Sequence, residues 1–458
     1  FDSSAEQAQA VMVTRDERRF NRLGQIGVTL DHGIDDNNSI TSMTFIQPKF
    51  LERSERGTFR HFNRYHVGGN LIFKNFSTIS NDIGSHFLLG MDEQYQDGAI
   101  LFYGLRNGQR DTVLQQDKRE GANNFGIFAQ EEVIINDKFT VMLGARYDKI
   151  AYYNDTYFDG GNKNDIAEKV YDKVTPKFGL TYRLASDMSI YANLGGGIEI
   201  PAGNEVDPPG SLGASVINPL LEPMVSTTYE LGWKAMPRVD DFIGMGGANV
   251  SVDVAAYMIG VTNDIIPYSG GRFYISAGKT QRIGAELGAS VKLENGFSLS
   301  AAFTYCNSKY VEYNLENIYK TSRDSVEGQT TFKDYSDNKI AGMPDMYATL
   351  RAKWEPKFLE RFSIDAEMRT VGSYFADNAN SLSVESYMTL DAGVSYEQPI
   401  TGGLAVRGFA RVMNLTDQRY AASAWINPER AKNSAPSFLE AGLPMNFSAG
   451  LNLVWRGE

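Results

Sequence analysis

The chain of 458 residues holds a single cysteine, Cys306, and only four histidines, His32, His61, His66 and His86. One cysteine excludes an intrachain disulfide. No two histidines form a close metal-ligand pair, and Cys306 stands apart from them, so no structural metal is expected. No stretch approaches the roughly 20 consecutive apolar residues that a membrane-spanning helix needs. Positive charge is also short: 44 Lys and Arg against 56 Asp and Glu leave a net charge of −12. That balance gives no support to nucleic-acid binding. A phosphate-cradling glycine loop, a nucleophile elbow and a metalloprotease helix are all missing. The expectation is a chain with no enzymatic activity, no cofactor and no nucleic-acid partner. No export signal opens the sequence, so it is expected to begin downstream of one.

What the chain has is a two-residue rhythm. In the segment 297–305, Phe297, Leu299, Ala301, Phe303 and Tyr305 fall on one side. Ser298, Ser300, Ala302 and Thr304 fall on the other. Successive strand side chains point to opposite faces, so the segment has one apolar and one polar face. The same split sets Ile364 against Asp365 and Glu367, Leu287 against Glu286, Leu143 and Ala145 against Arg146, and Leu453 against Asn452. About seventeen such segments run from near Arg22 to Trp455 without a linker. Aromatic residues at 12% fit girdles at the two membrane–water interfaces of a barrel.

The connections decide between a soluble sandwich and a membrane barrel. Tight turns at 35–38, 80–82, 136–138, 185–187, 294–296 and 399–403 carry turn chemistry. They alternate with long connections expected at 105–122, 154–169, 200–224, 313–341 and 421–443. Outer-membrane barrels have short turns at one end and longer loops at the other. The expected fold is all-β, an antiparallel transmembrane β-barrel. The first and last strands run in the same direction, so the odd count implies at least one further strand.

Five segments resemble TonB-dependent outer-membrane receptors. Gly126-Ile-Phe-Ala-Gln-Glu-Glu132 with Phe139-Thr-Val-Met-Leu-Gly-Ala-Arg-Tyr-Asp148 is similar to a mid-barrel hairpin of that family. Val174-Thr-Pro-Lys-Phe-Gly-Leu-Thr-Tyr182 with Ser189-Ile-Tyr-Ala-Asn193 is similar to the next. Asn218-Pro-Leu-Leu-Glu-Pro223 followed by Tyr229-Glu-Leu-Gly232 resembles its "NPxLxPE…YELG" segment. Val412-Met-Asn-Leu-Thr-Asp-Gln-Arg-Tyr420 resembles its "NLxDxxY" motif, and the last strand ends on an aromatic residue. The family's barrel has twenty-two strands preceded by a plug. The resemblance implies that residues 1–458 are one barrel domain, N-terminally incomplete, holding about seventeen of those strands and no plug.

The resemblance also implies a function and partners. It points to import of a scarce ferric chelate, a siderophore or ferric citrate, across the outer membrane of a Gram-negative bacterium. The drive would come from the TonB complex acting through the plug. Outer-membrane lipid, lipopolysaccharide and the barrel-assembly machinery are the other implied partners. Uptake of cobalamin, haem or an oligosaccharide is an alternative, as is a passive substrate-specific porin. Gly195-Gly-Gly-Ile-Glu-Ile-Pro201 departs from the haem-uptake pattern.

Two sets of candidate residues remain. Arg15, Arg18 and Arg19, then Arg56 and Arg60, then Arg106 and Arg110, make three successive outer regions basic in an acidic chain. Arginine forks match carboxylates, and a basic mouth attracts anions. The competing reading is contact with lipopolysaccharide phosphates, or loops solvated alongside Asp16, Glu17, Glu52 and Glu55. His61 and His66 sit near the same region and read more simply as surface histidines than as ligands. At the C-terminus, Ser448, Gly450, Leu453 and Trp455 resemble an outer-membrane assembly signal, extended past its aromatic by Arg456-Gly-Glu458.

Overall fold

The computed structural model describes residues 17–55, 57–106, 108–160, 165–201, 221–268, 273–276, 278–315, 333–428 and 438–456. One antiparallel sheet of nineteen segments dominates. Two segments continue a neighbour, so the sheet has seventeen wall positions. Strand β1 is Arg18–Leu23 and Ile26–Gly33, both paired with β2, Asn38–Glu55. Next come β3 (Thr58–Ser80), β4 (Ile83–Arg106), β5 (Gln109–Ile135), β6 (Phe139–Asp159), β7 (Asp165–Ala185) and β8 (Met188–Glu199). Strand β9 is Met224–Ala235, prolonged by Arg238–Val239. The wall ends with β10 (Ala248–Thr262), β11 (Lys279–Leu293), β12 (Phe297–Glu312), β13 (Met346–Trp354), β14 (Phe362–Val371), β15 (Tyr387–Thr401), β16 (Leu404–Met413) and β17 (Asn446–Trp455). Each strand pairs with its sequence neighbour, the order expected of an up-and-down wall.

The tight turns lie along one rim, tied by a run of backbone bonds. Asn136 donates to Asp82, Arg183 to Lys138 and Met236 to Asp187, each at 2.8 Å. The run continues from Glu294 to Gly247 and from Glu355 to Gly296, both at 2.9 Å, and closes with Arg456 to Gly403 at 2.9 Å. Local chemistry makes these turns short. Asn136 and Asp137 both have φ of 53°, in the left-handed region, and the Lys138 N–H bonds back to the Ile135 carbonyl at 3.0 Å; Gly296 has φ of 89°.

The opposite rim corrects two expected loops. Residues 109–122 are strand, not loop: β5 pairs with β4 up to Arg106↔Gln109. Likewise β6 runs to Asp159 and β7 starts at Asp165. Water bathes both faces of these strand ends, so no apolar alternation marked them. The connections after β8, β10, β12, β14 and β16 are longer. Near them a small core of Ile266, Ile275, Tyr310, Tyr313 and Ile340 is locked by polar contacts. Tyr310 donates to Asn378 Oδ1 at 2.9 Å, Asn378 Nδ2 to Tyr313 at 3.0 Å, and Asn427 Nδ2 to the Pro267 carbonyl at 2.7 Å.

The two faces separate as the alternation required. Leu71, Leu89, Met91, Ile127, Leu143, Leu287, Phe303, Ile364 and Leu453 are exposed apolar residues of one face. On the other face, Arg351, Arg369 and Arg411 interlace with Asp365, Glu367 and Asp391. Arg411 Nη1 lies 2.7 Å from Asp365, Arg369 Nε 2.6 Å from Glu367 and Arg369 Nη2 3.3 Å from Asp391. The charges of these six residues balance within the lumen wall. Strands β1 and β17 both run from the long-loop rim to the tight-turn rim. Among the described residues nothing pairs them with each other.

Candidate functional site

The polar face of β3–β6, above the apolar band, gathers cations around aromatic rings. Register sets the rows. Phe62 faces Ile100, which faces Lys118, which faces Thr156. One row toward the tight turns, Arg64 faces Gly98, Gly98 faces Glu120, and Glu120 faces Asn154. Arg60 lies opposite Phe102, its guanidinium carbon 4.8 Å from the ring centre. Lys118 Nζ sits 5.5 Å from the same ring, and the Arg64 guanidinium 5.2 Å from that of Phe62. A cation over a ring face is held by the ring's quadrupole.

Glu120 joins two of these cations. Arg64 Nη2 donates to Glu120 Oε2 at 2.8 Å, and Lys118 Nζ contacts Glu120 Oε1. The Lys118 side chain is only 5% exposed and that of Glu120 13%. Arg60, Arg64 and Lys118 thus share this stretch of the polar face with Glu120. Lys49, Arg53 and Arg19 share this polar face toward β1.

The expected basic residues divide between the faces. Arg19 and Arg60 lie on the polar face. Arg18 lies on the other, opposite Ser54. Arg110 stacks over Tyr103, 4.6 Å from its ring centre, also on the apolar-face side. Arg106 stands at the end of β4 with its side chain 79% exposed, 3.4 Å from Asp111. Arg15 and Arg56 lie outside the described residues. Sequence reasoning missed Phe62, Phe102, Gly98 and Glu120 as parts of the site. A glycine inside a strand pattern was an available signal for Gly98; the pairing of Glu120 with Arg64 had none.

Arg119 also turns away from the site. It grips Asp97 on the apolar-face side, its Nε 2.7 Å from Oδ1. Tyr153 and Tyr65 donate to the same carboxylate at 2.6 and 2.9 Å. The Arg119 bonds, then those from Tyr153 and Tyr65, hold Asp97 down at about 2 against the opposing effect of burial. His61 packs among Phe50, Phe59 and Tyr103 with Glu52 at 3.2 Å, and burial lowers its pKa. His66 lies on the opposite face, so the two histidines are not brought together. Among the described residues no group of three or more metal-ligating side chains converges.

At the C-terminus, Ser448 faces Arg411, and Gly450 faces Phe409. A β-carbon at Gly450 would meet that ring at 2.7 Å. Leu453 and Trp455 stand exposed on the apolar face. Arg456, beyond the aromatic, reaches Glu397 at 2.8 Å, and Arg407 binds the same carboxylate at 3.0 Å.

A family model described as "TonB dependent receptor-like, beta-barrel" matches residues 8–415. The chain belongs to the TonB-dependent receptor β-barrel family. Among its relatives is the ferrioxamine receptor of Yersinia enterocolitica, 25% identical over 305 residues, covering 66% of this chain and 36% of that protein. The unliganded ferric citrate transporter FecA shares the fold at a TM-score of 0.72 and 18% identity, over 96% of this chain and 62% of that one. The siderophore receptor PiuA from Acinetobacter baumannii does so at 0.69 and 18%, over 95% and 64%. The chain thus spans about a third of the length of the curated relatives it matches. Family and relatives are receptors and transporters rather than enzymes. The geometry on the polar face of this barrel wall likewise suits binding.

Proposed function

We propose that this chain is the barrel wall of an outer-membrane receptor of a Gram-negative bacterium that imports an anionic ferric chelate with energy from the TonB complex. The observation that carries this reading is the cluster of Arg60, Arg64 and Lys118 on the polar face near the long-loop rim. Its low exposure strengthens each charge-assisted contact with an incoming anion. The family and the siderophore receptors among its relatives support the chelate as cargo. Among the described residues the edges β1 and β17 are not paired with each other, which supports a wall completed by further strands. Since β1 and β17 run parallel, an odd number of strands between them gives the even count of bacterial single-chain barrels.

The experiment uses the full-length receptor in detergent, with ferric citrate as the anionic probe and ferrichrome as the neutral one. Replacing Arg60, Arg64 and Lys118 singly by alanine should weaken ferric citrate binding by about 1.5–3 kcal/mol for each desolvated contact. Ferrichrome binding should change little. Equal affinity of all variants for ferric citrate would sink the reading.

A further inference from the structure

We infer that a second pocket, on the lumen face of β9–β13, binds the ammonium end of an alkylamine arm. The inference goes beyond the proposed function, since it uses none of the basic residues of β3–β5. Three observations carry it.

First, the pocket is formed before any ligand arrives. It has a volume of about 400 Å³. Register places its lining: Glu230 faces Tyr257, Tyr257 faces Gly284, and Gly284 faces Cys306. In the next row Glu286 faces Thr304, which faces Tyr347. The Tyr257 ring lies across β11 at Gly284, where an added β-carbon would meet its Cζ at 2.4 Å. The pocket lies toward the long-loop end of the lumen, where the pairing of β12 with β13 stops at Tyr305↔Met346. Gly342, Met343 and Pro344, from the connection after β12, border it there. That border is fixed. The Gly342 N–H donates to the Phe375 carbonyl at 2.7 Å, and Met343 packs against the core of Tyr310 and Tyr313.

Second, the pocket is negative. Glu286 is exposed to the lumen and Glu230 half-buried. Among the described residues neither carboxylate is ion-paired with a cationic side chain. The Tyr191 hydroxyl bonds Glu230, but a neutral donor leaves the charge in place. Arg282, which also lines the pocket, is held by Asp264 at 2.7 Å and by Thr280 at 3.0 Å. Nearby Lys234 is held by Asp253 at 3.2 Å. Elsewhere on the lumen wall Asp365, Glu367 and Asp391 each have an arginine partner. Third, the remaining lining suits an organic cation. Tyr257 and Tyr347 offer ring faces, which attract a cation, and Ile259 and Met343 offer apolar surface to a methylene chain. An ammonium has three donors for carboxylate and hydroxyl oxygens. Among the described residues no three metal-ligating side chains converge, so the lining favours an ammonium over a metal ion. Of the ligands that enter the lumen, those with a free amine on an apolar arm gain this contact.

The test uses the full-length receptor and dansylcadaverine, a fluorescent primary alkylammonium, beside its N-acetylated form, which has no charge. Fluorescence anisotropy should show the wild type binding the amine about tenfold more tightly than the acetylated probe. Glu230→Gln with Glu286→Gln keeps the shape of both side chains and should erase that preference. Ferric citrate carries no ammonium, and its affinity for the double variant should not fall. Equal binding of the two probes by the wild type overturns the inference without a variant. Persistence of the preference in the double variant overturns it as well. A parallel loss of ferric citrate binding would show general damage to the lumen in place of a lost ammonium contact, and also counts against it.

Discussion

Arg64 crosses the backbone of Gly98 to reach Glu120 on the next strand but one. The missing side chain at Gly98 is what opens that path. A β-carbon there would lie 2.3 Å from the Asn63 carbonyl oxygen as well as 2.5 Å from Arg64 Cγ. Gly98→Ala should therefore lower stability by about 1–3 kcal/mol through overpacking. It should also weaken ferric citrate binding about as much as Arg64→Ala, and the two changes together should cost no more than either alone. Thermal unfolding and titration of the full-length receptor check both halves. Additive losses in affinity would show that Gly98 does not act through Arg64.

Asp97 should give the wall an acid-sensitive contribution. Its carboxyl is held at about 2 in the folded chain, below the roughly 3.9 of an unfolded aspartate. The folded form thus gains stability that is complete above the unfolded value and lost as pH falls from about 4 toward 2. The wild-type melting temperature should drop through that window more steeply than that of Asp97→Asn. Parallel pH profiles for the two proteins would contradict the assignment.

Arg411 should be a keystone of the balanced lumen network. Its Nη1 is 2.7 Å from Asp365, whereas Arg351 is 3.7 Å from the same carboxylate. Arg411→Ala should destabilise the barrel by about 1–3 kcal/mol by leaving a poorly exposed carboxylate under-compensated. Arg411→Lys should restore only part of the loss, because an ammonium cannot reproduce the guanidinium fork. Resistance of the barrel to unfolding in denaturing detergent reports on both.

Trp455 should matter for insertion more than other tryptophans of the wall. It ends the exposed apolar stripe of β17, and Arg456 pins the chain just beyond it to Glu397. Trp455→Ala in the full-length protein should slow insertion into lipid vesicles more than Trp233→Ala or Trp354→Ala. Arg456→Ala should leave the apolar stripe intact and loosen only the strand end, giving a smaller defect. Equal rates for the three tryptophan variants would reduce Trp455 to an anchor.

The sequence by itself determined the architecture. Alternation of the kind seen in 297–305 depends only on how a strand presents successive side chains. Turns such as Asn136-Asp137 depend on local backbone preference. Both are short-range, so seventeen wall strands, the direction of each and the face of Asp365, Glu286 and Leu453 were legible along one dimension. Strand ends beyond the membrane were not, because polar residues on both faces carry no period; 109–122 therefore read as a loop. Only the tertiary structure decided the site. Arg18 and Arg19 are adjacent in sequence yet lie on opposite faces, and Arg119 is held by Asp97 while its neighbour Lys118 faces the lumen. Arg64 and Glu120 are 56 residues apart and meet across Gly98. A charge acts on whatever lies within a few ångströms, and those neighbours are fixed by the register between strands.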